Sequence, residues 1–228
     1  MKRDAQALLQ IAQRSPEWYE ARIGCITASM VWALTARPAS GKGYSRVRAS
    51  YISQLACERL TGKQTIRYCG PQMRNAVHLE PKARDLYAAR MRADVAEVGF
   101  VLHPTMKGVG ASPDGHVLNS RGKPVRGLEI KCPEHAAHYD LLLGKAIDKK
   151  YLQQMHLQRA CDLLPSTDFV SFNEDFPPGL DMVIINVAAD QDEIAAIEYT
   201  CFTALDELDR GMDALAARLA GKMVKESL

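Results

Sequence analysis

Ser112-Pro113-Asp114-Gly115, then thirteen residues, then Glu129-Ile130-Lys131 is the stretch that decides how this chain is read. Asp114-Gly115 marks a turn, and Gly127–Cys132 reads as a strand. Strand alternation sends Glu129 and Lys131 to one face, while Asp114, at the end or turn of the preceding hairpin strand, converges on them. Two carboxylates with the intervening carbonyl of Ile130 make a hard-oxygen site suited to Mg²⁺. One such ion, or a pair, stabilises the attacking and departing oxygens of an in-line phosphodiester displacement. Lys131 would hold or help deprotonate the water nucleophile and offset charge on the phosphate. An exposed cross-strand ion pair gives the same letters. Here, however, the charges stand among Leu128, Ile130 and Cys132, where a charge needs a reason.

Upstream, Trp18 to Ser29 has the pattern W-x3-R-x-G-x-I-T-A-S. It offers the Arg22 guanidinium, the hydroxyls of Thr27 and Ser29, and free amides where a helix is expected to open at Thr27. That is a cradle for a phosphate, although a helix cap beside an unrelated arginine would look the same. Helical periodicity covers residues 4–14. A helix from about Ser50 stops at Gly62, and another runs from Asn75 to Met91 with Pro81 in its first turn or at a kink. Strands are predicted at Val95–Leu102, Asp168–Phe172 and Met182–Val187, and a helix at Lys145–Leu164. Ile194, Ile197, Cys201, Leu205, Leu208, Met212, Leu215 and Leu219 recur at intervals of three and four, the stripe of one long amphipathic helix. Helices before, between and after a strand-rich centre give a mixed α/β fold around a central sheet. With no repeat and no linker, one domain over residues 1–228 is expected.

The 228 residues are 47% hydrophobic and 25% charged, which excludes disorder and collagen-like repeats. No apolar run approaches the roughly 20 residues that cross a bilayer, and residues 1–15 lack an apolar signal core. The expected compartment is the cytoplasm, with no membrane partner. Cys25, Cys57, Cys69, Cys132, Cys161 and Cys201 are nowhere closer than 12 residues and read as scattered reduced thiols. The 29 basic and 27 acidic residues are unevenly spread, with net charges of +8 over residues 1–74, +4 over 75–161 and −10 over 162–228. A basic front end suggests a polyanion-binding face, and the acidic back end suggests a different contact surface or a solvated helix face.

Together these residues resemble the YqaJ-like alkaline exonuclease family of the PD-(D/E)xK nuclease superfamily. The resemblance includes Trp18–Ser29, the loop Arg37-Pro38-Ala39-Ser40-Gly41, a helix with Glu80 followed by Ala83-Arg84, the Ser112–Gly115 turn, Leu128-Glu129-Ile130-Lys131-Cys132-Pro133, and Tyr151-Leu152-Gln153-Gln154. It implies a restriction-endonuclease-like α/β core, a central mixed sheet flanked by helices. Asp114, Glu129 and Ile130 would be metal ligands, Lys131 the water-positioning base, and Glu80 would reach the metal from its helix. Gln154 would orient near the nucleophile or metal with Tyr151 beside it, and Arg22, Ser29 and Ser112 match a pocket for a terminal 5′-phosphate. The implied cofactor is Mg²⁺, two ions per site, with Mn²⁺ as substitute. The implied activity is 5′-to-3′ digestion of linear duplex DNA to 5′-mononucleotides by a ring-shaped homotrimer. The remaining 3′ tail would pass to a single-strand annealing protein.

Three positions depart from the family pattern. Asn75 stands where a glycine usually precedes the helix acid by five residues, and Ala39 replaces an arginine that probes DNA. Grip there would come from Arg37, Lys42 or another residue. Pro104 replaces an acid ten residues before Asp114. His135, His138 and His156 are expected to make surface or supporting contacts, since carboxylates and lysine already supply the chemistry. An endonuclease or DNA-repair nuclease with other end requirements and a catalytically silent DNA-end-binding subunit both stay open. The intact Asp114, Glu129 and Lys131 argue against the second.

Overall fold

The computed structural model describes residues 5–38, 41, 43–65 and 71–226. The chain opens with α1 (Ala5–Leu9) and α2 (Pro16–Arg22), whose N-cap Ser15 accepts from the Trp18 amide and whose first residue is proline. Strand β1 (Ile26–Thr27), a 3-10 turn (Ala28–Met30) and α3 (Val31–Thr35) follow. Helix α4 (Arg46–Thr61) starts four residues earlier than the periodicity indicated, because Ser45 caps it, and stops at Gly62 with φ 64° as expected. Helix α5 (Pro71–Met91) also starts early, so Pro81 lies inside it rather than in its first turn.

The strand expected over 95–102 is two strands in two sheets, β2 (Asp94–Ala96) and β3 (Val101–Leu102). The break at Gly99 belongs to the N-terminal segment, since the amides of Gly99 and Phe100 donate to the carbonyls of Leu9 and Leu8 at 3.0 and 2.9 Å. A Cβ on Gly99 would lie 2.4 Å from the Leu8 oxygen and 2.5 Å from that of Ile11, so only glycine fits there. Next come β4 (Val109–Ala111), β5 (Gly115–Leu118), β6 (Pro124–Lys131), α6 (His135–Leu142), α7 (Lys149–Asp162), β7 (Ser166–Phe172), β8 (Met182–Ala188) and α8 (Gln191–Glu226). The short β4 and β5 and the eight-residue α6 carry too few residues for a readable period.

Among the described residues the strands form a small sheet ordered β1-β4-β3 and a larger one ordered β2-β5-β6-β7-β8. β6 is antiparallel to β5 and parallel to β7, and α6 and α7 make the crossover that parallel neighbours require. Period two divides β6 between two layers. Leu128 and Ile130 point into a core with Ala83 and Tyr87 of α5, Val117, Val170 and Phe172, while Glu129 points to α7. A second core joins α3, α4, α7 and the first half of α8 through Val31, Leu55, Leu157, Cys201 and Leu208. Full burial of such a side chain contributes about 2 kcal/mol. No described helix is long and apolar enough to cross a membrane.

The charge asymmetry is partly satisfied inside the fold. Arg48 is only 1% exposed, stacked on Tyr44 and paired with Glu207. Arg59 meets Asp209 at 2.7 Å, Lys82 meets Glu174 at 2.6 Å and Arg90 meets Asp181 at 2.7 Å.

Candidate active site

Asp114 immediately precedes β5, and its place is fixed by the edge of β6. Its amide donates to the Leu128 carbonyl at 3.0 Å, and its carboxylate accepts from the Ile130 amide at 2.6 Å. A strand residue turns its N–H and C=O to the same side, so the Ile130 carbonyl also faces Asp114, past the end of β5. Glu129 is wholly buried. One of its oxygens accepts from Lys131 Nζ and from Gln154 Nε2 at 2.6 Å, and the other from Gln158 Nε2 at 2.5 Å. Gln154 and Gln158 stand one turn apart on α7 and so share a face. The second glutamine was not anticipated, and its i+4 spacing was the signal for it. Tyr151, one turn before, stacks near Phe169, with Lys131 Nζ 5.1 Å from its ring centre.

Burial and the negative charges of Glu129 and Glu80 hold the Asp114 proton well above the usual carboxylate range. Burial works against the Lys131 ammonium, but the Glu129 and Asp114 carboxylates prevail and raise its pKa. In this arrangement Lys131 is therefore a donor that orients and neutralises, with no lone pair to accept a proton. Glu80 is turned to two guanidiniums, one oxygen to Arg14 and the other to Arg84 at 2.9 Å. Arg84 also donates from Nε to the Asp114 carbonyl at 2.9 Å. Among the described residues no three His, Cys, Asp or Glu side chains are grouped as an ion site. The candidate donors are Asp114, Glu129 and the Ile130 carbonyl. They are hard oxygens, two of them on buried neighbouring carboxyls whose burial and mutual repulsion a bound cation would relieve, so the set fits Mg²⁺.

Arg22 and Ser112 form a second group, on the residue two before Asp114. Ser112 Oγ accepts from Trp18 Nε1 at 2.9 Å and from Arg22 Nη1 at 3.0 Å, so its own hydrogen points elsewhere. Trp18 and Arg22, one turn apart on α2, stack with the guanidinium 3.9 Å from the indole centre. Burial pushes the Arg22 pKa down to about 10, and its Nε is buried without a hydrogen-bond partner. A desolvated cation with a spare donor invites an anion. Gly24, with φ 65° and Arg59 packed where a Cβ would sit, makes the turn after α2. Thr27 takes the N-cap position of the 3-10 turn but makes no side-chain cap bond. Ser29 is exposed, its hydroxyl 3.5 Å from that of Thr27.

Lys131, Tyr151 and Cys132 open onto a cleft of about 800 Å³ between α5, the segment after β6 and the β7–β8 connection. Burial and the charge of Glu80 push the Cys132 thiol up to about 12, so it stays a neutral thiol. The histidines make supporting contacts: His138 is buried between Ser171 Oγ and the Leu180 carbonyl, both at 2.8 Å, and His135 pairs with Asp175 at 2.8 Å. His156 meets Arg159 at 2.6 Å. Ala39 and Lys42 of the expected DNA loop, and Cys69, lie outside the described residues. The five described cysteines are thiols outside any disulfide, as expected.

The family model of the YqaJ-like viral recombinase domain matches residues 17–168. No curated protein matches. Among solved structures, the alkaline exonuclease LHK-Exo of Laribacter hongkongensis is 33% identical with a TM-score of 0.81, covering 91% of this chain and 99% of that one. Its complex with dAMP matches at 34% identity with the same TM-score of 0.81 and the same coverage of 91% and 99%. A phage-related exonuclease from Haemophilus somnus 129PT is 13% identical with a TM-score of 0.67, over 84% of this chain and 96% of that one, and shares the fold. The larger mixed sheet between α5 and α7, with Asp114 just before β5 and Glu129 and Lys131 on its central strand β6, is thus a restriction-endonuclease-like core, and the chain belongs to the YqaJ-like viral recombinase family as a nuclease of the alkaline exonuclease type.

Proposed function

We propose that the protein is a Mg²⁺-dependent exonuclease that digests linear duplex DNA from its 5′ ends, releases 5′-mononucleotides and leaves 3′ single-stranded tails for recombination by strand annealing in the cytoplasm. The observation that carries this reading is one short turn bearing both groups: Ser112, held by Arg22 and Trp18, stands two residues before Asp114. The same proposal keeps one domain over residues 1–228 and a ring-shaped homotrimer around the duplex. That a relative was solved with dAMP, a nucleoside monophosphate, supports the product.

Asp114, Glu129 and the Ile130 carbonyl would hold Mg²⁺, with Glu80 close by, and when bound it would supply Lewis-acid stabilisation of charge on the phosphate. The protein's own groups do the rest. The spare donors of Arg22 and Ser112 hold the terminal phosphate, with Ser29 at the mouth of the pocket. Lys131 orients the attacking water and offsets charge as the P–O3′ bond breaks. Gln154 and Gln158 keep Glu129 fixed, and Tyr151 confines the Lys131 ammonium. Cutting that bond releases the first nucleotide with its 5′-phosphate and leaves a 5′-phosphate on the next one, so each cycle regenerates the recognised group.

The test is a comparison of linear duplexes bearing 5′-phosphate or 5′-hydroxyl ends with a closed circle, each with and without Mg²⁺. Digestion is expected only of linear DNA with Mg²⁺, fastest from phosphorylated ends. Cleavage of the circle would replace this reading with an endonuclease, and binding without cleavage would replace it with an end-binding subunit.

A further inference from the structure

We propose that Gln13 and Arg14 are positioning residues of the nuclease site, setting Asp114 and Glu80 relative to one another from an N-terminal segment that carries no catalytic group of its own. The inference rests on the metal-dependent reading above. The segment is anchored where Leu8 is buried and where the Leu8 and Leu9 carbonyls accept from Phe100 and Gly99. Beyond the anchor, Arg14 adopts φ 68°, a conformation L side chains rarely hold, and it sends two adjacent side chains to two targets.

Gln13 spends both amide hydrogens on carbonyls, Val98 and Pro113, each at 2.7 Å. The Pro113 carbonyl belongs to the peptide bond that joins Asp114. Arg14 grips one Glu80 oxygen while Arg84 takes the other and, from its Nε, holds the Asp114 carbonyl. The contacts close a circuit from Gln13 through Pro113 and Asp114 to Arg84, Glu80 and back to Arg14. The backbone of one candidate ligand and the side chain of a neighbouring acid are thereby tied to the same two residues. Arg14 is also one of three cations on these carboxylates, with Arg84 and Lys131. It therefore opposes a bound cation while it orients Glu80.

The test compares full-length wild type with Arg14→Ala, Arg14→Lys, Gln13→Ala and Gln13→Glu by Ca²⁺ titration calorimetry, by kcat and KM on 5′-phosphorylated linear duplex with Mg²⁺, and by Tm. Arg14→Ala is expected to bind Ca²⁺ about three- to tenfold more tightly, through loss of a nearby like charge. It should lose about tenfold or more in kcat with little change in KM, since the phosphate pocket is untouched. Arg14→Lys keeps the charge and is expected to return Ca²⁺ affinity to within about twofold of wild type and to recover part of kcat. Gln13→Glu, the same size but facing two carbonyls with acceptors, should lose kcat as Gln13→Ala does. Ca²⁺ affinity and kcat within about twofold of wild type in Arg14→Ala and Gln13→Ala would overturn the inference. So would losses that follow Tm alone and that lysine does not recover. Failure of wild type to bind Ca²⁺ or to digest DNA is separately visible and overturns the metal-dependent reading with it.

Discussion

At Asp114 the fold places a carboxyl beside Glu129 and Glu80 and out of water, so the folded chain holds that proton more tightly than the unfolded chain does. A carboxyl with a raised folded pKa favours folding while protonated, and that contribution is lost as pH rises through the folded value. Asp114→Asn, neutral and still able to accept from the Ile130 amide, is therefore expected to raise the Tm of metal-free protein in alkaline buffer while abolishing digestion. A thermal scan in chelator against pH, with a lower Tm for the variant at high pH, would refute this account of Asp114. Arg22→Ala is expected to slow digestion of 5′-phosphorylated ends by about 10- to 100-fold, the loss of a charge-assisted contact. Digestion of 5′-hydroxyl ends should hardly change, and equal slowing of both would remove Arg22 from the pocket. Asp114, Glu129, Lys131 and Arg22 were legible because their letters stand at short fixed spacings. Trp18 was visible as a letter without a task, and Gln13 and Arg14 were not visible, because their targets lie 66 to 100 residues away.

Among elements, β6 was legible and its neighbours much less so. An eight-residue strand with charges among aliphatic residues shows period two, whereas three-residue β4 is wholly buried and shows none. The single strand expected over 95–102 became two because residues 8 and 9 supply the partner at Gly99, and no local pattern carries that information. Gly99→Ala is accordingly expected to cost about 1–3 kcal/mol, since backbone rather than a flexible side chain must shift. It should also lower kcat by loosening the segment that ends in Gln13 and Arg14. Denaturant midpoints and single-turnover rates check both parts, and an alanine variant of wild-type stability would mean that the segment docks less tightly than its hydrogen bonds indicate. The long amphipathic stripe was correctly read as α8, yet its burial stops near Leu208.

For the whole molecule, the uneven charge does not translate directly into a basic outside and an acidic outside. Arg48 and Arg59 of α4 are paired with Glu207 and Asp209 of α8, so part of the positive excess of residues 1–74 is neutralised within the chain. What remains for a neighbour includes the exposed Tyr199, Phe202, Leu215 and Leu219 along α8. A closed ring of three subunits is expected on the proposed reading, with heterologous contacts repeated around one axis. Light scattering behind size exclusion at moderate salt should give three times the single-chain 25.2 kDa. A mass of one chain across micromolar concentrations would refute the ring.

The turn Ser112-Pro113-Asp114 has a further consequence. Two residues span at most roughly 7 Å, and the proline between them fixes one of the few torsions that could change that span. On the proposed reading, the grip on the end of a strand and the blade that cuts it are thus set at a constant gauge by covalent geometry. Such a stride is indifferent to base sequence and to how far digestion has gone. The products should be of one length from the first cut to the last.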